Sequence, residues 1–237
     1  MIQPWTINLL TLFPHLFPGP LSESVIGRAF EKKLWQMNTH NIRDYAIDKH
    51  RTVDDTSYGG GNGMVLRADV LTNAITHTFS CDLPIIYLSP RGHLFNQQMA
   101  RELVRKHEGI NVLCGRFEGI DERIIEKFNI IEISIGDYVL SSGDIAAYVL
   151  LDSCIRNIPG VLPFALNEES FGDSVEYQGL LEYPQYTKPA IFEGVSIPEI
   201  LLSGNHKMIA QWRLEQAKEK TFKMRKDLWC KYTKDNL

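Results

Sequence analysis

The chain has 237 residues, 44% of them apolar and 23% charged, with a formal net charge of −4. This length admits one α/β domain with a small appendage, and the apolar content excludes a disordered chain. The charge excludes a uniform polycation, yet residues 201–237 hold nine Lys/Arg against four Asp/Glu, which leaves the first 200 residues at −9. A basic tail on an acidic body points modestly to a polyanionic partner, while charge alone favours a solvated helix face.

The opening MIQPWTINLLTLFPHLFP lacks a basic leader and is broken by Pro4, Pro14 and Pro18, so neither a signal peptide nor a membrane span is expected. A soluble cytoplasmic protein is the expectation. Thr6 to Leu12 reads as a buried strand. Ser22 is expected to cap a helix running to about Leu34, with Val25, Ile26, Ala29 and Phe30 on one face. Residues 48–63 are polar and end in YGGGNG, read as a loop. A helix from about Arg67 to Phe79 follows. Pro84 precedes the strand IIYLS, and LSPRGHLF reads as a loop into a helix ending near His107. Ile110 to Cys114 is a strand, Ile120 to Phe128 a helix, Ile130 to Ile135 a strand, and Asp144 to Asn157 a long helix stopped by Pro159-Gly160. Strands alternating with helices of this length predict an α/β domain with a largely parallel sheet over 1–162. Residues 163–187 show no period and read as an interdomain linker. Residues 188–237 read as a small all-helical domain, with Pro198 opening a short helix and Asn205 capping another through Gln216.

The chemistry concentrates between residues 113 and 144. LCGRFEGIDER and EISIGDYVLSSGD share one plan: an apolar strand, a glycine-bearing polar loop, then a helix start. Gly115, Gly119, Gly136 and Gly143 alternate there with Glu118, Asp121, Asp137 and Asp144. Such loops after two strands close backbone groups around a flat, polar, nucleotide-like ligand. Other classes fail on spacing. The chain has no GxxxxGK[ST] and no GxSxG, and GGGNGM follows a polar loop rather than a strand, so it is not a dinucleotide fingerprint. Cys81, Cys114, Cys154 and Cys230 form no CxxC metal or redox pattern, and the histidines form no HExxH or HxxxH pair, so no zinc site is expected.

YGGGNGM at 58–64, LSPRG at 88–92, LCGRFEGIDER at 113–123, EISIGDYVLSSGD at 132–144, LLEYPQYTKP at 180–189 and LLSGNHKMIAQWR at 201–213 appear in order across nearly the whole chain. In this set the chain closely resembles the bacterial tRNA (guanine-37-N1)-methyltransferases of the SPOUT superfamily. The resemblance implies a deep trefoil knot in the C-terminal part of the sheet, a rare exception to ordinary connection rules. It implies S-adenosylmethionine held in a bent shape by Tyr87, Leu88, Ser89, Pro90, Gly115, Glu118, Ile135, Gly136, Asp137, Tyr138, Val139, Leu140 and Gly143. The implied reaction is methyl transfer to N1 of the guanosine just 3′ of the anticodon in tRNA. Glu169 stands where the family has an aspartate acting as general base, with Glu168 and Asp173 as alternatives nearby. Arg156 matches a catalytic arginine, a position that also offsets the dipole at a helix C-terminus. Lys188, Asn205, His206, Lys207 and Arg213 fall in segments resembling RNA-contacting regions, and His206 also reads as a helix-capping residue. The resemblance further implies Mg2+, with Glu118 as a hard oxygen ligand. It also implies a homodimer in which the two subunits share each active site, Glu169 of one chain facing the donor of the other. Three departures stand out: Glu169 for aspartate, Ser142 for a common glycine and Ala146 for a common proline. The carboxy terminus also stops short of the family's usual length.

Overall fold

A computed structural model describes residues 3–162, 169–172, 174 and 177–235. Two compact units divide between residues 163 and 164. The first contains, in order, β1 (Trp5–Thr11), α1 (Ser24–Glu31), β2 (Trp35–Asn41), β3 (Asp54–Thr56), β4 (Met64–Leu66) and α2 (Ala68–Thr78). It continues with β5 (Ile85–Leu94), α3 (Gln97–Lys106), β6 (Gly109–Leu113), α4 (Glu122–Lys127), β7 (Ile131–Ser134) and α5 (Gly143–Ile155).

Five strands form a parallel sheet in the order β2-β1-β6-β5-β7. Both faces are covered, which is why β1 and β6 read as nearly unbroken apolar runs. Ile7 and Leu9 of β1 join a core with Ile26 of α1, Leu103 of α3 and Leu150 of α5. Leu10 joins a second core with Val70, Leu71 and Ala74 of α2 and Ile124 of α4. Each fully buried leucine or isoleucine contributes roughly 1.5–3 kcal/mol.

Polar side chains pin the register. Asn38, Asn8 and Asn111 stand opposite one another on β2, β1 and β6. The Asn38 amide donates to Asn8 Oδ1 and the Asn8 amide to Asn111 Oδ1, each at 2.9 Å. The Asn111 amide in turn donates to the Ser80 and Leu83 carbonyls at 2.8 and 3.0 Å. A slip of one residue would unpair buried amides, so the ladder selects one alignment.

Several expectations are corrected. Ser22 does not cap α1. Its hydroxyl donates to the Gly19 carbonyl at 2.7 Å, closing a 3₁₀ turn, and Glu23 occupies the N-cap. Phe30 is 41% exposed rather than on the buried face. β2 has no counterpart in the sequence reading. The polar segment 48–63, for which only the terminal YGGGNG loop is expected, also holds β3, which pairs antiparallel with β4. LSPRGHLF does not leave the sheet. β5 runs to Leu94, with its pairing to β7 shifting between Leu88 and His93.

The second unit holds β8 (Ile191–Phe192), β9 (Val195–Ser196), α6 (His206–Met224) and α7 (Lys226–Asp235). β8 and β9 form an antiparallel hairpin, so the expected all-helical domain is only mostly helical. Glu193 and Gly194 turn it with φ of 49° and 81°, the positive pair a two-residue hairpin turn requires. α6 runs well past Gln216 because Ala217 and Thr221 are buried. Ala217 packs with Tyr177, Leu180 and Tyr183, and the Thr221 hydroxyl accepts from Leu181 N at 2.9 Å. Among the described residues no helix is long and apolar enough to cross a membrane.

Candidate active site

Three segments converge: residues 89–91 at the shift within β5, and residues 115–120 and 135–143 beyond the C-terminal ends of β6 and β7. They enclose a cavity of about 360 Å³. Ligands of parallel sheets sit at this end of the strands, where loops rather than helices meet. The shift in β5 pairing brings Ser89, Pro90 and Arg91 to the cavity wall.

Backbone contacts tie the loops together. Gly143 N donates to the Gly115 carbonyl at 2.9 Å. A Cβ on Gly143 would lie 2.8 Å from Gly115 N, and one on Gly115 would lie 2.6 Å from the Tyr87 ring. Both positions require glycine because neighbouring atoms occupy the space a side chain would need. Ser134 brackets Gly136, its hydroxyl donating to the Gly136 carbonyl at 3.1 Å and accepting from Gly136 N at 3.2 Å. Tyr138 donates to the Ile135 carbonyl at 3.1 Å. Burial pushes the Tyr87 phenol up to about 12, so Tyr87 is a neutral wall.

Three charged residues line the cavity: Arg91, Arg116 and Glu118. Arg91 is paired with Glu122 and Glu132 at 3.1 Å each. Glu118 N donates to the Met64 carbonyl at 2.9 Å, joining this loop to the YGGGNG segment. The Glu118 side chain fills the space beside Gly63.

Of the residues expected at the donor site, Tyr87, Leu88, Ser89, Pro90, Gly115, Glu118, Ile135, Gly136, Tyr138, Val139, Leu140 and Gly143 all line this cavity. Asp137 is exposed and is not among the lining residues. Sequence reasoning missed Arg91, Arg116 and Ser141, although Arg116 sits inside the LCGRFEG motif that pointed here. The departures at Ser142 and Ala146 fit their surroundings. Ser142 is extended at φ −164°, a conformation open to any residue, and Ala146 is buried in the second turn of α5.

The remaining predicted residues lie elsewhere. Arg156 is the C-cap of α5, where its charge opposes the helix dipole, and is not a lining residue. Glu169 belongs to the second unit, where its carbonyl accepts from Gly172 N at 2.8 Å. Glu168 and Asp173 lie outside the described residues. In the second unit Lys188, Asn205, His206 and Lys207 are exposed. Asn205 is the N-cap of α6, accepting from Met208 N at 3.2 Å, so His206 is its first residue and not its cap. The Arg213 guanidinium lies 4.8 Å from the centre of the Tyr183 ring. Among the described residues no group of three or more His, Cys, Asp or Glu is arranged to hold a metal ion.

Comparison with known proteins identifies this architecture. A tRNA (guanine-N(1)-)-methyltransferase of Roseobacter denitrificans is 51% identical over 229 residues, covering 95% of this chain and 93% of the relative. One from Bartonella bacilliformis is 52% identical over 229 residues, covering 96% of each. One from Pelagibacter ubique is 48% identical over 231 residues, covering 98% of this chain and all of the relative. Residues 5–231 match the family described as tRNA (Guanine-1)-methyltransferase TrmD, and the chain belongs to that family.

Proposed function

We propose that this enzyme transfers the methyl group of S-adenosylmethionine to N1 of guanosine 37 in tRNA, giving 1-methylguanosine. The observation that carries the reading is the cavity at the β5 shift and the ends of β6 and β7, lined by the motifs that run through a match covering residues 5–231. The cavity fits a bent adenosyl donor. Its volume of about 360 Å³ lies in the small-ligand range, and glycines at 115, 136 and 143 let backbone approach closely. Ile135 and Leu140 supply apolar faces for a purine, and the peptide groups of 135–143 its polar edge. Glu118 is the carboxylate facing this space.

When bound, S-adenosylmethionine supplies a methyl group on a positively charged sulfur. The protein's own task is to make guanine N1 a nucleophile. N1 carries a proton in the neutral base, and Glu169 accepts that proton as general base. The lost proton leaves negative charge spread toward O6, and Arg156 offsets it with a fixed positive charge. The N1 lone pair then forms the N–CH3 bond as the sulfur–carbon bond breaks. Mg2+ has no cluster of protein carboxylates among the described residues, and the chemistry assigned here is carried by Glu169 and Arg156.

Residues 1–162 form the donor domain and 188–237 the tRNA-binding domain, joined through 163–187, whose Tyr177, Leu180 and Tyr183 pack with Ala217 of α6. Threading of 135–143 against 115–119 through a knot suits the contact between Gly143 and Gly115. Lys188, Asn205, His206, Lys207 and Arg213 position the tRNA, largely through its phosphates, while pocket contacts select the guanine. The enzyme works in the cytoplasm as a homodimer whose subunits share each active site.

The test mixes the protein with labelled S-adenosylmethionine and unmodified tRNA transcripts, followed by digestion. Label is expected in 1-methylguanosine, and its absence from the RNA rejects the reading. Glu169→Gln is expected to bind donor as the parent does while turnover falls about 10²- to 10⁴-fold. Full turnover in that variant moves the base to another group.

A further inference from the structure

We propose that Asp144 is a positioning residue for the methyl donor, acting from behind the cavity wall through Arg116 to hold the 137–143 loop against the 115–119 loop. The inference rests on the reading of the cavity as the donor site.

Asp144 opens α5 and is fully buried. A buried carboxylate is tolerated only when charge and hydrogen bonds compensate its lost hydration. Here Oδ1 is hydrogen-bonded, whereas Oδ2 and the facing Arg116 Nε, buried and without a hydrogen-bond partner among the described residues, are coupled by charge, and the contacts run in a circuit. Thr11, at the end of β1, donates its hydroxyl to Asp144 Oδ1. Arg116 Nε faces Asp144 Oδ2 at 3.8 Å. The Arg116 guanidinium also lies 4.4 Å from the centre of the Phe13 ring. Phe13 N in turn donates to the Thr11 hydroxyl at 3.0 Å, closing the ring of contacts.

The circuit has one outlet. Arg116 Nη1 donates to the Ser141 carbonyl at 3.1 Å, and Arg116 and Ser141 both line the cavity. Asp144 and Thr11 do not line it. Asp144 therefore fixes the donor loop without touching the donor. Arg116 is the part that shares charge between the two loops, being 28% exposed against 1% for Asp144. Without the carboxylate, the guanidinium loses its buried counter-charge and solvent competes for it. The bond to the Ser141 carbonyl then weakens, leaving Gly143 N to the Gly115 carbonyl as the hydrogen bond that ties the two loops among the described residues.

The experiment measures S-adenosylmethionine binding by calorimetry for the parent chain, Asp144→Asn, Arg116→Gln, the double variant and Asp144→Glu. Thermal melting and amide exchange are followed in parallel. Asp144→Asn keeps the acceptor for Thr11 and removes the charge, and the donor Kd is expected to rise about 10- to 100-fold. Faster amide exchange should be confined to 137–143, which a general loss of packing would not produce. Arg116→Gln should weaken the donor similarly, and the double variant no more than the worse single one, because both break one circuit. Asp144→Glu restores the charge and should stay within about threefold of the parent. Turnover at saturating donor should change far less than Kd. A folded Asp144→Asn variant with parental donor affinity overturns the proposal, as do independent, multiplying losses in the double variant. If Asp144→Asn does not fold, the partly exposed Arg116→Gln decides, and unchanged affinity there overturns it. A parent chain that binds no S-adenosylmethionine sinks the donor-site reading itself, before any variant is compared.

Discussion

Gly115 and Gly143 stand against neighbouring atoms, the Tyr87 ring and the Gly115 backbone; Gly59 and Gly60 stand in open space. A Cβ on Gly143 would meet Gly115 N at 2.8 Å, whereas one on Gly59 or Gly60 would meet nothing within 4 Å. Gly59 and Gly60 instead carry φ of 86° and 78°. At Gly115 and Gly143 glycine supplies room, and at Gly59 and Gly60 it supplies an angle. The same residue type therefore predicts different consequences for substitution. A sequence motif rich in glycine does not say which applies.

The largest effect is expected at the close approach. Gly143→Ala forces the 137–143 and 115–119 loops apart, and a displacement approaching 1 Å is expected to cost donor affinity about a hundredfold, read by calorimetry. Overpacking should also destabilise the fold by about 1–3 kcal/mol, read by thermal melting. Parental affinity in a folded Gly143→Ala protein would show that the cavity does not depend on this contact. An intermediate effect is expected at Gly63, which combines both uses of glycine. Its φ is 100°, and a Cβ there would lie 2.4 Å from Glu118 Cγ. Gly63→Ala should swing the Glu118 side chain and lower donor affinity about tenfold, the loss of one charged hydrogen-bonding group. Gly59→Ala, in the same loop, should cost about 1–2 kcal/mol of local backbone strain and leave donor affinity within about twofold. Equal donor losses at 59 and 63 would erase the distinction between room and angle.

The motifs located the cavity because strand–glycine loop–helix units are local features of the chain. β6, α2 and the Asn205 cap were legible for the same reason. The rest depended on distant partners. β2 is a polar edge strand, WQMNTHN, whose only buried residue is Trp35, so no apolar run marks it. β5 continues through Pro90 because β7 pairs with it on both sides of the shift, which a local reading took for a loop. α6 outruns Gln216 because Tyr177, Leu180 and Tyr183 cover Ala217. The β8–β9 hairpin carries a local signal of its own, the Glu193-Gly194 pair between apolar residues. The contact between Thr11 and Asp144 spans 133 residues, and nothing near either residue announces it.

The smallest expected effect separates two acids that look alike in sequence. Asp121 and Asp144 stand at the starts of successive helices. Asp144 is sealed in the core, whereas Asp121 is the partly exposed N-cap of α4, accepting from Arg123 N at 3.0 Å. The Arg123 side chain, hydrogen-bonded to the Asp121 carboxylate, holds its pKa below the usual range, outweighing the raising effect of partial burial. A depressed folded-state pKa means that the stabilisation is present above the unfolded value of about 3.9 and is lost as pH falls through the folded value. Asp121→Ala should cost about 1 kcal/mol at neutral pH, the worth of an N-cap. Asp121→Asn should keep the cap within a few tenths of a kcal/mol and flatten the acid limb of the stability curve. Both variants should bind S-adenosylmethionine as the parent does, because Asp121 ties a helix to itself whereas Asp144 ties one loop to another. Donor affinity that falls in Asp121→Asn as far as in Asp144→Asn would mean that any acid opening these helices tunes the cavity, and the circuit through Arg116 would lose its special role.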